Sequence, residues 1–215
     1  MSQSTPDLEK LYEAILAGDA ATAADLTQQA IDAEIDAQTL ITERMIPAMD
    51  EVGRRFEVGE FFVPELLISG RAMKGALDLL RPLLAAQGVE PVGRVVIGTV
   101  KGDLHDIGKG LVASMLEGAG FDVVDLGVDV SADRFVSEVR DSKANVLALS
   151  ALLTTTMPAM KGVIEAMQGS DVSEQCKVMI GGAPITQQYA DVIGADGYSE
   201  SAAGAVSLAR ALVLN

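Results

Sequence analysis

Residues 1–86 repeat apolar positions at the three-to-four-residue spacing of amphipathic helices and contain no convincing strand. Thr5-Pro6-Asp7 combines a hydroxyl N-cap with proline at the first helical position, which predicts a helix from about Asp7 to Ala17. Asp19 is placed to cap a second helix. Two longer apolar stripes predict a third and a fourth, which we expect to pack as a four-helix bundle. The stripes consist of Leu40, Ile41, Met45, Ala48, Val52 and Phe56, and of Leu66, Gly70, Met73, Leu77, Leu80 and Leu84.

The pattern changes at residues 87–93, a stretch of glycine and proline that predicts a linker and a candidate hinge. From Arg94 onward, compact β-branched runs alternate with helical segments, which is typical of a parallel sheet covered on both faces. Strands are predicted at Val95–Thr99, Val123–Leu126, Val146–Ser150, Val178–Ile180 and Asp196–Ser199, and helices at 108–119, 131–142, 156–168, 185–193 and 200–213. We therefore predict a helical-bundle cap domain at 1–88, followed at 89–215 by a flavodoxin/Rossmann-like, doubly wound, five-stranded parallel sheet.

Charge and composition restrict the possible functions. The chain has 16 Lys and Arg against 31 Asp and Glu, a formal net charge of −15, which argues against nucleic acid or an anionic membrane as partner. A single cysteine excludes an internal disulfide, and a single histidine excludes a metal site built from several imidazoles. Because no secretory signal and no membrane-spanning apolar run is seen, we expect a cytoplasmic protein.

Ligands of open parallel sheets bind beyond the carboxyl ends of the strands. The loop after the first predicted strand contains the only histidine, His105, with an acid on either side. The later loops carry hydroxyls and small residues, namely Ser150, Thr154 and Thr156, then Gly181 and Gly182, then Gly197 with Tyr198. We interpret this convergence as a binding site. In the alternative interpretation, His105 is a surface histidine paired with Asp103, and the threonines cap a helix.

A lone imidazole beside a carboxylate is suited to one chemical role. It can be the axial ligand of a metal that a macrocycle already holds equatorially, with the carboxylate fixing the ring. A competing motif runs from Gly108 to Ala113 and fits the dinucleotide fingerprint, with Asp125 or Asp129 as the later acid. That fingerprint needs its first glycine directly after a strand, whereas the predicted strand ends near Thr99. A nicotinamide site is therefore disfavoured.

Three linked motifs, Asp103-x-His105-x-x-Gly108, Ser150-x-Leu152 and Gly181-Gly182, resemble the cobalamin-binding signature. Methionine synthase, methylotrophic corrinoid proteins and several adenosylcobalamin mutases share that signature. The segments GEFFVPELLISGRAMKGAL and ALSALLTTTM are further similar to free-standing methyl-carrier corrinoid proteins. The resemblance extends over the whole chain. It implies a cobalamin or related corrinoid, whose cobalt cycles between methyl-Co(III) and Co(I).

The resemblance also implies roles for individual residues. His105 would be the lower axial ligand of cobalt, Asp103 would hydrogen-bond its imidazole, and the Thr156 hydroxyl would complete a proton relay. Methionine synthase has serine at that last position, so the extra methyl group of threonine bears on the relay geometry. The other expected cofactor contacts are Gly102, Leu104, Asp106, Ile107, Gly108, Ser150, Leu152, Thr154, Gly181, Gly182, Gly197, Tyr198 and Phe62. For Phe61 and Phe62, burial in the bundle core is the alternative.

The function that the resemblance implies is methyl transfer through cobalt. The protein would receive a methyl group from a substrate-specific methyltransferase and deliver it to a second methyltransferase, which acts on tetrahydrofolate or coenzyme M. The chain is too short to contain a substrate barrel as well, so we expect it to be the carrier subunit of a multi-component methyltransferase, without turnover alone. A reductive activating protein is a further expected partner. The alternative is a cobalamin sensor or storage protein, and the methyl donor is not readable from this chain.

Overall fold

The computed structural model describes residues 7–87 and 91–214 and divides into two compact units. One unit is helical; it extends to Pro91 and takes in Glu117–Gly120. The other covers Val92–Leu116 and the chain from Phe121 onward. Residues 88–90, which include the predicted domain border and part of the predicted linker, lie outside the described residues. The border and the hinge therefore stay predictions.

Aspartate caps begin the first helices of the helical unit. Asp7, Asp19 and Asp36 accept hydrogen bonds from backbone N–H groups three residues ahead, at 3.4, 3.0 and 2.8 Å. The predicted cap at Thr5 and Pro6 lies outside the described residues. The elements of this unit are α1 (Leu8–Leu16), α2 (Ala20–Asp32), α3 (Ala37–Leu40), a π-helical turn (Ile41–Met45), α4 (Ile46–Glu57) and α5 (Val63–Gln87).

The two helix prolines differ in their effect. Pro47 has no N–H to bond the carbonyl of Glu43, and its ring crowds that carbonyl. The helix widens into the π-helical turn at this point, so the predicted third helix is interrupted and then continues. Pro82 lies inside α5, which runs on to Gln87, so this proline does not end its helix.

The apolar stripes of the sequence form the core of the helical unit, as their spacing predicts. Seven of the largest side chains there are completely buried: Leu11, Ile15, Leu40, Met45, Leu66, Met73 and Leu80. Their burial supplies the hydrophobic free energy that holds amphipathic helices together. Within residues 7–87 and 91–214, no helix has both the length and the apolar character to cross a membrane.

The second unit is a five-stranded parallel sheet in the order β2-β1-β3-β4-β5. Its strands are β1 (Arg94–Thr99), β2 (Asp122–Asp125), β3 (Val146–Ser150), β4 (Lys177–Gly181) and β5 (Gly197–Tyr198). Its helices are α6 (Ile107–Gly118), α7 (Ala132–Ser142), α8 (Met157–Gln168), α9 (Gln187–Ile193) and α10 (Ala202–Val213). The predicted fold class, helices followed by a doubly wound parallel sheet, is confirmed.

The register of the sheet brings the predicted ligand loops to one edge. Thr99 pairs with Ser150, and Ser150 pairs with Gly181, so β1, β3 and β4 end at the same level. The strand order reverses at β1, since β2 lies on one side of it and β3 on the other. Ligands of doubly wound sheets bind at such a switch point. The loops after β1 and β3 therefore meet where a site is expected.

Candidate functional site

The carboxylate of Asp103 is the centre of the site. Asp103 follows β1 and is completely buried. Its Oδ1 accepts the backbone N–H of His105 at 3.1 Å and lies 2.6 Å from Nδ1 of the same residue. Its Oδ2 accepts the N–H of Leu152 at 2.8 Å and the hydroxyl of Thr156 at 2.7 Å. Two loops are thus joined through one side chain.

These hydrogen bonds keep Asp103 ionised. Burial alone raises the pKa of a carboxyl group, because it removes water from the charged form. The donors of Thr156, Leu152 and His105 outweigh that effect and hold the pKa of Asp103 below its ordinary value. An ionised carboxylate only accepts hydrogen bonds, so the proton between Asp103 and the imidazole belongs to Nδ1.

The imidazole of His105 presents its other nitrogen outward. With the proton fixed on Nδ1, Nε2 keeps a free lone pair. The side chain is 48% exposed, and in the part of the chain that the structure describes nothing hydrogen-bonds to Nε2. An oriented, accessible imidazole of this kind is ready to bind a metal from one side.

The surroundings of His105 are apolar and open. Four large apolar side chains in the same two loops stay exposed: Leu104 by 73%, Ile107 by 82%, Leu152 by 41% and Leu153 by 43%. Exposed apolar residues so close together mark a binding surface. Among the described residues, no group of three or more His, Cys, Asp or Glu side chains is placed to hold a bare metal ion. A flat, largely apolar macrocycle that brings its own metal fits this donor set.

Thr156 keeps its hydroxyl in reach of Asp103 in spite of its extra methyl group. The residue is buried, directly before α8. Its Oγ1 also lies 2.9 Å from the carbonyl oxygen of Leu153. The methyl carbon Cγ2 lies 3.8 Å from where a Cβ on Gly102 would stand, an ordinary van der Waals distance. Threonine in place of serine therefore does not prevent the hydrogen bond to Asp103.

Two residues that the sequence interpretation did not assign to this site also contact its loop. Thr99, the last residue of β1, donates its hydroxyl to the carbonyl of His105 at 2.8 Å. Asp129, after β2, accepts the N–H of Gly102 at 2.8 Å and pairs with Lys101 at 3.0 Å. The sequence contained a signal for both residues. Thr99 is a polar residue at the end of an apolar strand, and Asp129 lies beyond the carboxyl end of β2, where ligands of parallel sheets bind.

Lys109, whose side chain is buried, pairs with two exposed carboxylates at the start of α6. Its side chain is 1% exposed and lies 2.7 Å from the carboxylate of Asp106, with Asp125 on its other side. The carboxylate of Asp106, a predicted cofactor contact, is therefore already paired within the protein. Gly108 lies inside α6, away from the end of β1, so the dinucleotide fingerprint does not have the strand-turn-helix geometry it requires.

The remaining predicted contacts occupy different environments. Ser150 and Gly181 lie side by side at the ends of their strands, and Tyr198 is half-buried in β5. Gly197 is buried, and a Cβ there would stand 2.7 Å from the side chain of Leu208. The chain at Gly102, Gly108 and Thr154 is exposed, as expected for residues that touch a ligand. Their roles toward the cofactor stay predictions.

Phe62 belongs to the helical unit and is 64% exposed, so it is not part of the bundle core. Its backbone N–H donates to the carboxylate of Glu65 at 2.9 Å. The guanidinium of Arg55 lies 5.2 Å from the ring centroid of Phe61, a cation–π distance. The half-buried Phe61 ring thus packs against Arg55, and contact of either ring with a corrin stays a prediction.

Gly182 is required by the neighbouring loop. Its φ is +133°, and a Cβ there would stand 1.9 Å from the carbonyl oxygen of Ala151. We expect Gly182→Ala to lower the free energy of unfolding by about 2 kcal/mol through strain and steric conflict. Gly162→Ala is the matched control, because a Cβ at that exposed α8 position meets nothing within 4 Å. Gly162→Ala should raise the free energy of unfolding by about 0.5–1 kcal/mol. Urea unfolding of both variants tests this; equal stabilities would contradict the prediction.

The fold and the histidine loop define a cobalamin-binding module. Residues 93–207 match the family model described as a B12 binding domain, and residues 7–81 match a second model with the same description. The chain therefore belongs to the B12-binding corrinoid proteins, as the resemblance predicted, and its cofactor is a cobalt-containing corrinoid.

Particular relatives agree over most of the chain. It is 42% identical to trimethylamine corrinoid protein 1 of Methanosarcina acetivorans over 216 residues, which covers 100% of both chains. It is 42% identical to dimethylamine corrinoid protein 1 of the same organism, covering 84% of this chain and 85% of that one. A chain of the methanol:cobalamin methyltransferase complex of Methanosarcina barkeri superposes with a TM-score of 0.85 at 31% identity, covering 97% of this chain and 80% of that chain.

Proposed function

We propose that this protein is the methyl carrier of a multi-component methyltransferase. It receives a methyl group from a substrate-specific methyltransferase and presents it to a second methyltransferase, which acts on tetrahydrofolate or coenzyme M. The observation that carries the proposal is the 2.6 Å contact between buried Asp103 and Nδ1 of His105, because it leaves Nε2 free for cobalt. When bound, the corrinoid supplies a cobalt that can accept and release a methyl group.

The chain's own residues would hold that cobalt from the protein side. His105 would bind it through Nε2, and Asp103 holds the imidazole proton on Nδ1. Thr156 donates to Oδ2 of the same carboxylate, so the charge on Asp103 is stabilised from both sides. A proton added to or removed from these hydrogen-bonded groups would change the basicity of Nε2 and thereby how tightly His105 would hold the cobalt. Leu104 and Ile107, exposed apolar residues within two positions of His105, would supply apolar contact to the corrinoid.

Partners select the methyl donor. Chains named for trimethylamine and for dimethylamine are equally identical to this one, at 42%. The solved relative belongs to a complex named for methanol. Because such similar carriers are named for different donors, we propose that selectivity resides in the methyltransferase. A reductive protein that restores the methyl-accepting state completes the proposed set of partners.

The proposal is tested with the full chain reconstituted with hydroxocobalamin. After reduction with titanium(III) citrate, the protein is mixed with 14C-methyl iodide, desalted, and offered tetrahydrofolate and coenzyme M in parallel, each with a methyltransferase that acts on it. We expect about one label per protein before the acceptor is added and release of that label afterwards. A protein that binds the corrinoid but retains no label is a sensor or a store, and the carrier proposal is then wrong.

A further inference from the structure

We infer that Thr99 and Asp129 are positioning residues that preset the His105 loop before the corrinoid binds. Together they are called the clasp. The inference rests on the proposed role of His105 and adds two residues that do not touch the cobalt. It is carried by their contacts with the segment from Lys101 to His105.

Thr99 anchors the far end of the segment. It is completely buried, so it is out of reach of a ligand on the rim. Its own backbone is fixed by the loop after β2, since its N–H donates to Gly127 at 3.0 Å and its carbonyl accepts from Val130 at 3.0 Å. From this fixed position its hydroxyl donates to the carbonyl of His105. The peptide group of His105 is therefore tied to the sheet.

Asp129 anchors the near end. Its Oδ1 accepts from the N–H of Gly102, and its own N–H donates to the carbonyl of Asp103 at 3.0 Å. The Lys101–Gly102 and Asp103–Leu104 peptide groups are thus held by the same residue. Its Oδ2 also pairs with Lys101, which adds a charged contact on the solvent side. The pKa of Asp129 lies below its ordinary value, chiefly because Gly102 donates to it.

The backbone of Asp129 supports a specialised role. Its φ is +56°, in the left-handed region that residues other than glycine rarely adopt. Aspartate is among the side chains that tolerate this region best, and here the conformation aims both the carboxylate and the N–H at the same segment. Glycine would relieve the backbone but lose the carboxylate. The site therefore favours aspartate or asparagine.

The clasp bears on affinity. Only Leu104 separates Asp103 from His105, and both ends of this short segment are fixed by groups outside it. The imidazole consequently has its orientation before the ligand arrives, and less conformational entropy is lost when Nε2 binds. Loosening either anchor should weaken binding without removing any group that contacts the ligand.

The experiment uses two pairs of variants in the full chain. Thr99→Val removes the hydroxyl with little change of shape, and Thr99→Ser restores it. Asp129→Ala removes the acceptor for Gly102, and Asp129→Asn keeps an oxygen for it. Asp171→Ala is the matched control, because it deletes an exposed carboxylate that pairs with Arg140 in the same unit. Thermal unfolding identifies any variant that does not fold. At such a position, the comparison is made between the wild type and the conservative variant, Thr99→Ser or Asp129→Asn.

Two readouts are measured. In the corrinoid-free protein, long-range 1H–15N NMR reports which nitrogen of the single histidine carries the proton. We expect Nδ1–H in the wild type, Thr99→Ser, Asp129→Asn and Asp171→Ala, and a mixture of tautomers in Thr99→Val and Asp129→Ala. Hydroxocobalamin titration should show about fivefold weaker binding for each of the last two, the value of one lost hydrogen bond. An unchanged tautomer and affinity in both would overturn the clasp.

The two proposals fail in different ways. If His105 is not the axial ligand, the EPR spectrum of the one-electron-reduced, corrinoid-loaded wild type lacks splitting from a histidine nitrogen, whatever the clasp variants do. If the clasp alone is wrong, the wild type shows that splitting, and Thr99→Val and Asp129→Ala bind as tightly as Asp171→Ala.

Discussion

Replacing His105 with alanine is expected to have the largest effect on cofactor binding. The substitution removes the only imidazole in the chain and hence the only nitrogen of this type that can reach cobalt. We expect about 100-fold weaker retention of hydroxocobalamin, or about 2.7 kcal/mol. The histidine nitrogen splitting should vanish from the EPR spectrum of the one-electron-reduced form. Titration by visible absorption and EPR of one sample measures both effects.

The fold should survive this change. The ring is 48% exposed, and its side chain hydrogen-bonds to Asp103. We therefore expect the free energy of unfolding to change by no more than about 1 kcal/mol. Imidazole added to the buffer can enter the space that the ring leaves, and partial recovery of the EPR splitting is expected. Retention and splitting that match the wild type would show that cobalt does not bind to His105.

Replacing Asp103 with asparagine is expected to have the largest effect on stability. The carboxylate accepts from groups on both of its oxygens, whereas an amide has one acceptor oxygen and turns two hydrogens toward donors. Because the site is completely buried, water cannot satisfy the groups left over. We expect a loss of about 3 kcal/mol in the free energy of unfolding and 10- to 100-fold weaker corrinoid binding, estimates in the usual range for such partners.

The pH dependence follows from the pKa of Asp103. Since the fold lowers that pKa, the ionised carboxylate contributes stability above its ordinary pKa of 3.8, and the contribution falls as the pH drops below this value. The deficit of Asp103→Asn should therefore shrink as the pH falls through and below this value. Thr156→Val is the control, since it removes one donor and keeps the charge, and it should cost only about 1 kcal/mol. Equal deficits in urea unfolding would contradict the prediction.

Strands were the most predictable part of this molecule. No end of the five strands differs from its prediction by more than one residue, because fully buried parallel strands need short, uninterrupted apolar runs. The π-helical turn was not predictable. The apolar stripe passes through Ile41 and Met45 with helical spacing, and Pro47 signals a disturbance without saying whether the helix ends or widens.

The contacts of the site also differ in how far they could be predicted from the sequence. Asp103 and His105 are two residues apart, so their pairing follows from a short motif. Asp129 reaches Gly102 only because β1 and β2 are neighbours, with Val100 bridging Val130. Thr99 donates to the carbonyl of His105 because the loop after β1 turns back toward its own strand. Periodicity along the chain carries no information on such contacts. The predicted cofactor contact of Gly182 stays a prediction, and the nearby carbonyl of Ala151 is a second reason for glycine there that the sequence does not reveal.

The hydroxyl of Thr156 has a single hydrogen and two oxygens, Asp103 Oδ2 and Leu153 O, at 2.7 and 2.9 Å. Rotation about one bond can hand that hydrogen from the first to the second, on the timescale of side-chain rotation and with every heavy atom in place. While that hydrogen points to Leu153, Oδ2 has one donor fewer, so the carboxylate attracts the Nδ1 proton of His105 more strongly. The hydrogen-bond environment of the imidazole can thus change within the time of one bond rotation, without any slower rearrangement of the protein.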